Sequence, residues 1–526
     1  HTSAAAAGLS GLSAPLVHGM WLSACAQHLI EAEGASPLDA PARDSVIRSI
    51  PTPHLEIEAW SYQMHGMVNL RDRVEITIER VGRAGGRLLL EATCRVNGDV
   101  VSIGTALVKA PASAYVYPGQ GIQRQGMGME SMTPAIREVW ERADRATRER
   151  LGFSIRAIVA DNPTQIRIGS QVLRHPEGVL NLTQFTQVAL ATLAYAQTAD
   201  LKAQGAFVEG SYYAGHSLGE YNALAACAQI FPFEKVLEIV YQRGSAMHNL
   251  VERDAQGRSN YRMGALRPNQ FGVTDEGVRA YVESVAEKTG EFLQIVNYNL
   301  ADSQYAVAGT IAGLDALAAD ADERAAEFGG RRPFMLIPGI DVPFHSIKLR
   351  AGVAPFRERL EALIPEDVDL EALEGRYIPN LVARPFEVSR EFAESILEGV
   401  PSEAVQALLA DWEGARADRG RTARTLLVEL LAWQFASPVR WIETQDLLLN
   451  ADRLGVERVI EIGLGTSPTL ANLASKTLSM PAYAGRTVEV FNLERDSARI
   501  LATDTVSAPV DAEAPAPTGE APAPAT

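Results

Sequence analysis

The chain has 526 residues, 47% hydrophobic and 21% charged, which is room for several domains of ordinary soluble composition. A net charge of −17 excludes a grip on nucleic-acid phosphates, and no apolar run reaches the length of a membrane span. Cys25, Cys94 and Cys227 stand far apart with no CxxC pair, so neither a disulfide framework nor a zinc site is expected, and the protein reads as reduced and cytoplasmic. The N-terminus, HTSAAAAGLSG, has no basic region for a signal peptide. The chain starts without methionine, which suggests a piece of something larger.

In chain order, Val17 to Ile30 reads as one apolar helix, followed by a Pro-rich stretch around Pro51 and Pro53. Then come β-patterned runs at His54–Trp60, Arg73–Val81, Gly86–Val96 and Val100–Lys109. Val74, Ile76 and Ile78 alternating with Glu75, Thr77 and Glu79 give the period of two expected of a half-buried antiparallel strand. At Tyr115 the grammar changes. AYVYPGQG is a short apolar strand entering a Gly-rich loop from Pro118 to Gly128, without the spacing of a phosphate cradle. Helices are predicted over 136–151 and 182–204. A strand from Phe207 to Tyr213 then leads to GHSLG.

Ser217 between Gly215 and Gly219 forms a Gly-x-Ser-x-Gly nucleophile elbow, a strand turning sharply into a helix with the hydroxyl exposed at the turn. The helix follows as LGEYNALAAC, with Glu220 in its first turn, where the helix dipole favours an acid. The N–H of Leu218 at that helix start is a natural oxyanion donor. The loop PGQG offers a second, the N–H of Gln120. Val236–Leu250 is a further helix and carries Arg243.

Between Tyr261 and Ile337 the pattern runs strand, helix, strand, strand, helix, strand, a ferredoxin-like unit inserted into a larger α/β domain. The larger domain resumes at DVPFHS, which contains His345. Residues 350–430 read as peripheral helical cover with no site, and RVIEI at 458–462 as a strand. The Ala/Pro-rich acidic tail from 501 to 526 reads as a semi-extended linker.

A serine needs a base, and His345 and His216 are the two candidates. His216 adjoins the serine on a strained turn and is expected to order the elbow and its substrate side, which leaves His345 as the base. Asp254, Asp275 and Asp302 lie between serine and histidine, but none sits in a recognisable strand-end motif. Arg243 is either a surface arginine near a helix end or a fork for a carboxylate. No metal or redox cofactor is indicated.

The ordered set PGQG, GHSLG, Arg243 and PFH closely resembles the malonyl-CoA:acyl carrier protein transacylase family. More particularly it is similar to the malonyl/palmitoyl transferase region of type I fatty acid synthases of fungi and actinobacteria. The resemblance implies an α/β-hydrolase-like core at 111–500, with the ferredoxin-like insert at about 261–340. It makes Ser217 the acyl-accepting nucleophile and His345 the general base. Arg243 would hold the free carboxylate of malonate, and Gln120 and Leu218 the oxyanion. Gln434, in Gln434-x-x-x-Pro438-Val439-x-Trp441, would supply the main-chain carbonyl that orients the histidine. Asn299 in VNYNLADSQYAVAG would lie near the site, and Phe344 would line an acyl pocket.

Residues 1–110 resemble the second part of a hot-dog fold of the MaoC-like dehydratases. His1 would be the catalytic histidine there, with its acid partner upstream of the chain, so no dehydration by this piece alone is expected. The implied carriers are CoA thioesters and phosphopantetheine, with nothing tightly bound. The implied partners are malonyl-CoA, palmitoyl-CoA, an acyl carrier protein and the other domains of an oligomeric synthase. A serine hydrolase or thioesterase, an acetyl transferase and a non-catalytic segment of the synthase remain open on the residues alone.

Overall fold

Alternating apolar and polar side chains between 57 and 108 make four strands with one apolar face. The computed structural model, which describes residues 3–12, 14–33, 55–130, 132–254, 258–466 and 469–501, pairs them into a single antiparallel sheet. Its order is Ile57–Met64, Asp99–Val108, Arg87–Val96, Val74–Ala84. Helix Gly19–Glu33 lays Leu22, Ala26 and Ile30, one residue per turn, on Leu90, Ala92, Cys94, Ala106 and Val108. The indole N–H of Trp60 on the outermost strand donates to Ser23 Oγ of the helix at 2.9 Å. These elements, with residues 201–209, form one of two compact units. His1, the stretch around Pro51 and Pro53, and the tail from 502 onward lie outside the described residues.

The second unit spans 112–200 and 210–497 and holds two five-stranded sheets. The first is wholly parallel, in the order Tyr377–Ile378, Tyr212–Gly215, Ser113–Tyr117, Arg458–Glu461, Glu489–Asn492. Its middle strand, SAYVY, is buried at every position, as expected of a strand covered on both faces. Such sheets bind ligands beyond the carboxyl ends of their strands. Two predicted elements leave from that edge: the Gly-rich loop after Tyr117 and the serine elbow after Gly215. Phe207 and Val208 were expected in the elbow strand. They fall instead outside it, because the strand begins only at Tyr212, after the turn at Gly210.

The second sheet is built from the inserted segment, in the order Phe334–Leu336, Tyr261–Leu266, Gln304–Thr310, Leu293–Leu300, all antiparallel. Helices Asp275–Thr289 and Ile311–Phe328 cover one face, burying Val278, Val282, Leu314 and Leu317 against Ile295, Tyr305 and Val307. A fifth strand, Val439–Arg440, joins Leu293–Leu300 in parallel and stitches the insert to the segment that begins with Gln434.

One expectation is corrected. Residues 350–430 are largely helical, but they are not merely cover. Tyr377–Ile378 is the edge strand beside the elbow strand, and Asn380 reaches the elbow itself. A two-residue strand inside a helical, charge-rich stretch carries no periodicity to reveal it.

Candidate active site

The elbow forms because its two glycines admit a crossing that no side chain allows. A Cβ on Gly215 would lie 1.9 Å from the carbonyl carbon of Gly219, and one on Gly219 would lie 1.8 Å from the carbonyl oxygen of Tyr117. Ser217 between them is held at φ 55° and ψ −115°, a region L-residues avoid. Helix Leu218–Ala226 starts at the next residue, so the Leu218 N–H has no intrahelical acceptor and stays directed at the turn. Gly119 of the PGQG loop runs close by: a Cβ there would sit 3.0 Å from the His216 carbonyl oxygen and 3.5 Å from Ser217 Cβ. Gln120 is fixed in that loop by Gln187 of helix Thr183–Ala203, whose Nε2 donates to Gln120 Oε1 at 2.8 Å.

His345, 128 positions along the chain, places Nε2 2.7 Å from Ser217 Oγ. It too sits at positive φ, 61°, so the serine and the histidine both stand on strained backbone. Its Nδ1 faces the main-chain oxygens of Gln434 at 2.9 Å and Ser437 at 3.1 Å. Those acceptors put the proton on Nδ1 and leave Nε2 free to take one from the serine. Among the described residues no carboxylate bonds to His345, and Asp254, Asp275 and Asp302 have no hydrogen bond to it. Burial, with Arg243 beside it, lowers the His345 pKa to about 3, so the ring is neutral at physiological pH.

Arg243 comes from helix Phe233–Asn249 and is 1% exposed, so it is not a surface arginine. Its Nη2 donates to Gln434 Oε1 at 2.8 Å and lies 3.4 Å from Ser217 Oγ, while the guanidinium carbon stands 5.2 Å above the Tyr221 ring. Nε and Nη1 are buried with no hydrogen-bond partner. A buried cation with two idle donors beside a reactive hydroxyl is costly unless an anion arrives to meet them.

Gln434 does more than offer its carbonyl. Its side-chain Nε2 donates to Ser217 O at 2.5 Å and to Glu220 Oε2 at 2.8 Å. Glu220 was read as an acid placed for the helix dipole. It stands in that first turn, is 1% exposed, and also accepts from the Tyr377 hydroxyl and from the Asn380 N–H at 3.1 Å. Asn380 accepts from the Ser217 N–H at 2.8 Å and donates to the Gly215 carbonyl, so it ties both sides of the elbow. The sequence reading missed Asn380, Tyr377, Gln187 and Ser437. Only Glu220 left a signal, as the one charge in a helix that has no exposed face.

His216 points away from the serine, as expected of an elbow neighbour. Its Nε2 donates to Asn299 Oδ1 at 2.8 Å, and its ring meets Trp441 edge-on, 5.7 Å between centroids. Desolvation lowers its pKa to about 4. Asn299 thus touches the site through His216 and not the hydroxyl. Phe344 packs in an apolar cluster with Met263, Val296, Ala306 and Ala308 on the helix-free face of the insert sheet. His1 lies outside the described residues.

The arrangement sets a serine hydroxyl against a neutral histidine, beside a helix N-terminus and a buried cation. Residues 114–326 match the acyl transferase domain family. The chain is 35% identical over 501 residues to fatty acid synthase 2 of Mycosarcoma maydis, covering 80% of this chain and 13% of that protein. It is 31% identical over 498 residues to the fatty acid synthase subunit beta of Saccharomyces cerevisiae, covering 78% and 24%. The chain therefore spans a quarter or less of the length of these two relatives. In fold it is similar to the malonyl CoA-acyl carrier protein transacylase of Coxiella burnetii, with TM-score 0.52, 23% identity, and coverage of 74% of this chain and 96% of that one. It is similar to the same extent, TM-score 0.52 and 21% identity over 74% and 97%, to a malonyl-transacylase solved with its type II polyketide acyl-carrier protein.

Proposed function

The chain carries an acyl transferase domain homologous with a segment of the fungal fatty acid synthases, and from that premise we propose that it moves malonyl groups from CoA to the phosphopantetheine thiol of an acyl carrier protein. The observation that carries this reading is Arg243, whose Nη2 lies 3.4 Å from Ser217 Oγ while its buried Nε and Nη1 are idle. A guanidinium matches a carboxylate bidentately, and malonate is the common acyl unit that brings one.

In this reading Ser217 Oγ attacks the thioester carbonyl while His345 Nε2 takes its proton. Negative charge developing on the carbonyl oxygen is met by the N–H groups of Leu218 and Gln120. Loss of one such donor costs about 10²–10³ in rate. The tetrahedral adduct collapses, the C–S bond breaks, and His345 returns its proton to the departing CoA sulfur. A carrier thiol then gives a proton to His345, attacks the malonyl-serine ester and restores the serine hydroxyl. Gln434 and Ser437 hold the imidazole throughout and carry the partial charge of the transient imidazolium on their carbonyl dipoles.

The same site would pass palmitoyl groups to CoA, with Arg243 turned from the chain. Residues 1–110 would then be the second part of a hot-dog dehydratase, and the tail from 501 a linker, within a cytoplasmic oligomeric synthase. Intact-protein mass spectrometry after mixing with malonyl-CoA or palmitoyl-CoA tests the reading. The wild type should gain one acyl group, and Ser217→Ala none. Free malonate as the main product in the presence of a thiol acceptor would make it a hydrolase instead. Arg243→Ala should cut malonyl loading far more than palmitoyl loading, and equal losses would remove Arg243 as the clamp.

A further inference from the structure

The side-chain amide of Gln434 sits between two groups of opposite sign, with its oxygen on Arg243 and its nitrogen on Glu220. An amide can turn over, so something must decide which end faces which. Arg243 offers only donors. Glu220 receives donors from Tyr377, Asn380 and Gln434, and a carboxylate that takes three donors acts as an acceptor throughout. The Ser217 carbonyl takes the same nitrogen, and with Glu220 ionised as well the amide is held firmly in one orientation, which anchors Arg243 through Nη2 while leaving Nε and Nη1 for a ligand. We propose that Glu220 is a positioning and specificity residue. Acting through Gln434, its carboxylate orients the Arg243 guanidinium and balances its charge in the empty site, and so sets the preference for acyl groups that carry a free acid. This inference rests on the acyl transfer proposed above.

The neighbours of Glu220 keep their charge over the working range. Burial raises the phenols of Tyr377 and Tyr221 far from titration, Arg243 remains a cation, and His345, beyond Gln434, is neutral above about pH 3. Asn380 and Gln434 do not titrate. Glu220 does: burial raises its pKa to about 7, against the pull of Tyr377, Gln434, Asn380 and Arg243. Below that pH the carboxyl acquires a proton, its demand for a donor weakens, and Gln434 is held at its nitrogen mainly by the Ser217 carbonyl, so the anchor on Arg243 loosens.

The test measures kcat and KM for loading by malonyl-CoA and by acetyl-CoA, and reads the ratio between them, which cancels effects common to serine and base. In Glu220→Gln a neutral amide replaces the carboxylate, so the Gln434 nitrogen is held by the Ser217 carbonyl without the charge of Glu220, and the Arg243 guanidinium is anchored less firmly. Malonyl kcat/KM should fall about ten- to hundredfold, mainly through KM, and acetyl kcat/KM by a few-fold at most. In the wild type the malonyl-to-acetyl ratio should rise with pH through about 7. Tyr377→Phe removes one donor from the carboxylate without touching Gln434, so it should move that rise to higher pH. This variant serves if Glu220→Gln does not fold. Equal losses for both acyl groups, or a ratio flat in pH in both the wild type and Tyr377→Phe, would overturn the proposal while leaving the transferase reading intact. A wild type that loads no acyl group would overturn both.

Discussion

The two sheets of the larger unit have the same number of strands and do different work. The parallel sheet delivers reactive groups: its strands end at one edge, where the glycine crossing forces Ser217 into a strained turn and Asn380 clamps it. The insert sheet delivers a wall. One face is sealed by two helices, and the other turns Met263, Val296, Ala306 and Ala308 toward Phe344. Its polar reach toward the elbow is Asn299 and, at 3.4 Å, Asn297, which meet His216 and not the serine. Chemistry thus follows from strand ends in one sheet, and containment from a packed face in the other. A site can be divided in this way because strain has to be enforced locally, whereas exclusion of water asks only for coverage.

The contrast can be broken from either side. The largest effect is expected at the base. His345→Ala should lower the rate of malonyl loading about 10⁴-fold or more, because the hydroxyl then has no group to take its proton. A loss of less than tenfold, followed by mass spectrometry over time, would assign the base elsewhere. Next comes the clamp on the parallel sheet. Asn380→Ala leaves the Ser217 N–H and the Gly215 carbonyl without their partner, and loading should fall about 10- to 100-fold, with a lower unfolding temperature. Full activity in this variant would show that the elbow holds its shape without that residue.

The smallest effect lies on the insert side and concerns stability. The folded protein keeps His216 neutral down to about pH 4, against an ordinary value of 6.5. Between those values the unfolded chain binds a proton that the folded one refuses, so stability falls as pH drops from 6.5 toward 4. Glu220 contributes with the opposite sign, since its raised pKa favours the folded state as pH falls from about 7 toward 4.5. Comparing wild type with His216→Gln cancels that shared contribution. The variant should lose fewer degrees of unfolding temperature over the same acid range, and identical pH curves would refute the assignment.

Much of the site was legible in one dimension because elbow chemistry is local. GHSLG needs its glycines within two positions of the serine, and the helix that follows starts at once, so five residues announce a strained nucleophile and one oxyanion donor. The pairing of that serine with His345 was legible only as an ordered pattern of motifs, since 128 intervening positions carry no distance information. Asn380 and Tyr377 were hidden for a plainer reason. Tyr377 acts from a two-residue strand whose neighbours are helical and charged, and Asn380 follows a proline just past it, where an asparagine looks like any turn.

One-dimensional reading reaches the local commitments: the elbow, the glycine loop, the alternating strands of the first unit and the strand-helix order of the insert. Each of these rests on interactions between residues close in the chain, where steric and propensity rules operate directly. The tertiary structure alone decided that the acid of the elbow helix turns inward to Gln434, that Arg243 is buried with donors to spare, and that an edge strand supplies the clamp. Those outcomes depend on which segments are brought together around one buried charge, and the cost of leaving a polar group unpaired in the interior selects among arrangements that the chain order leaves equal.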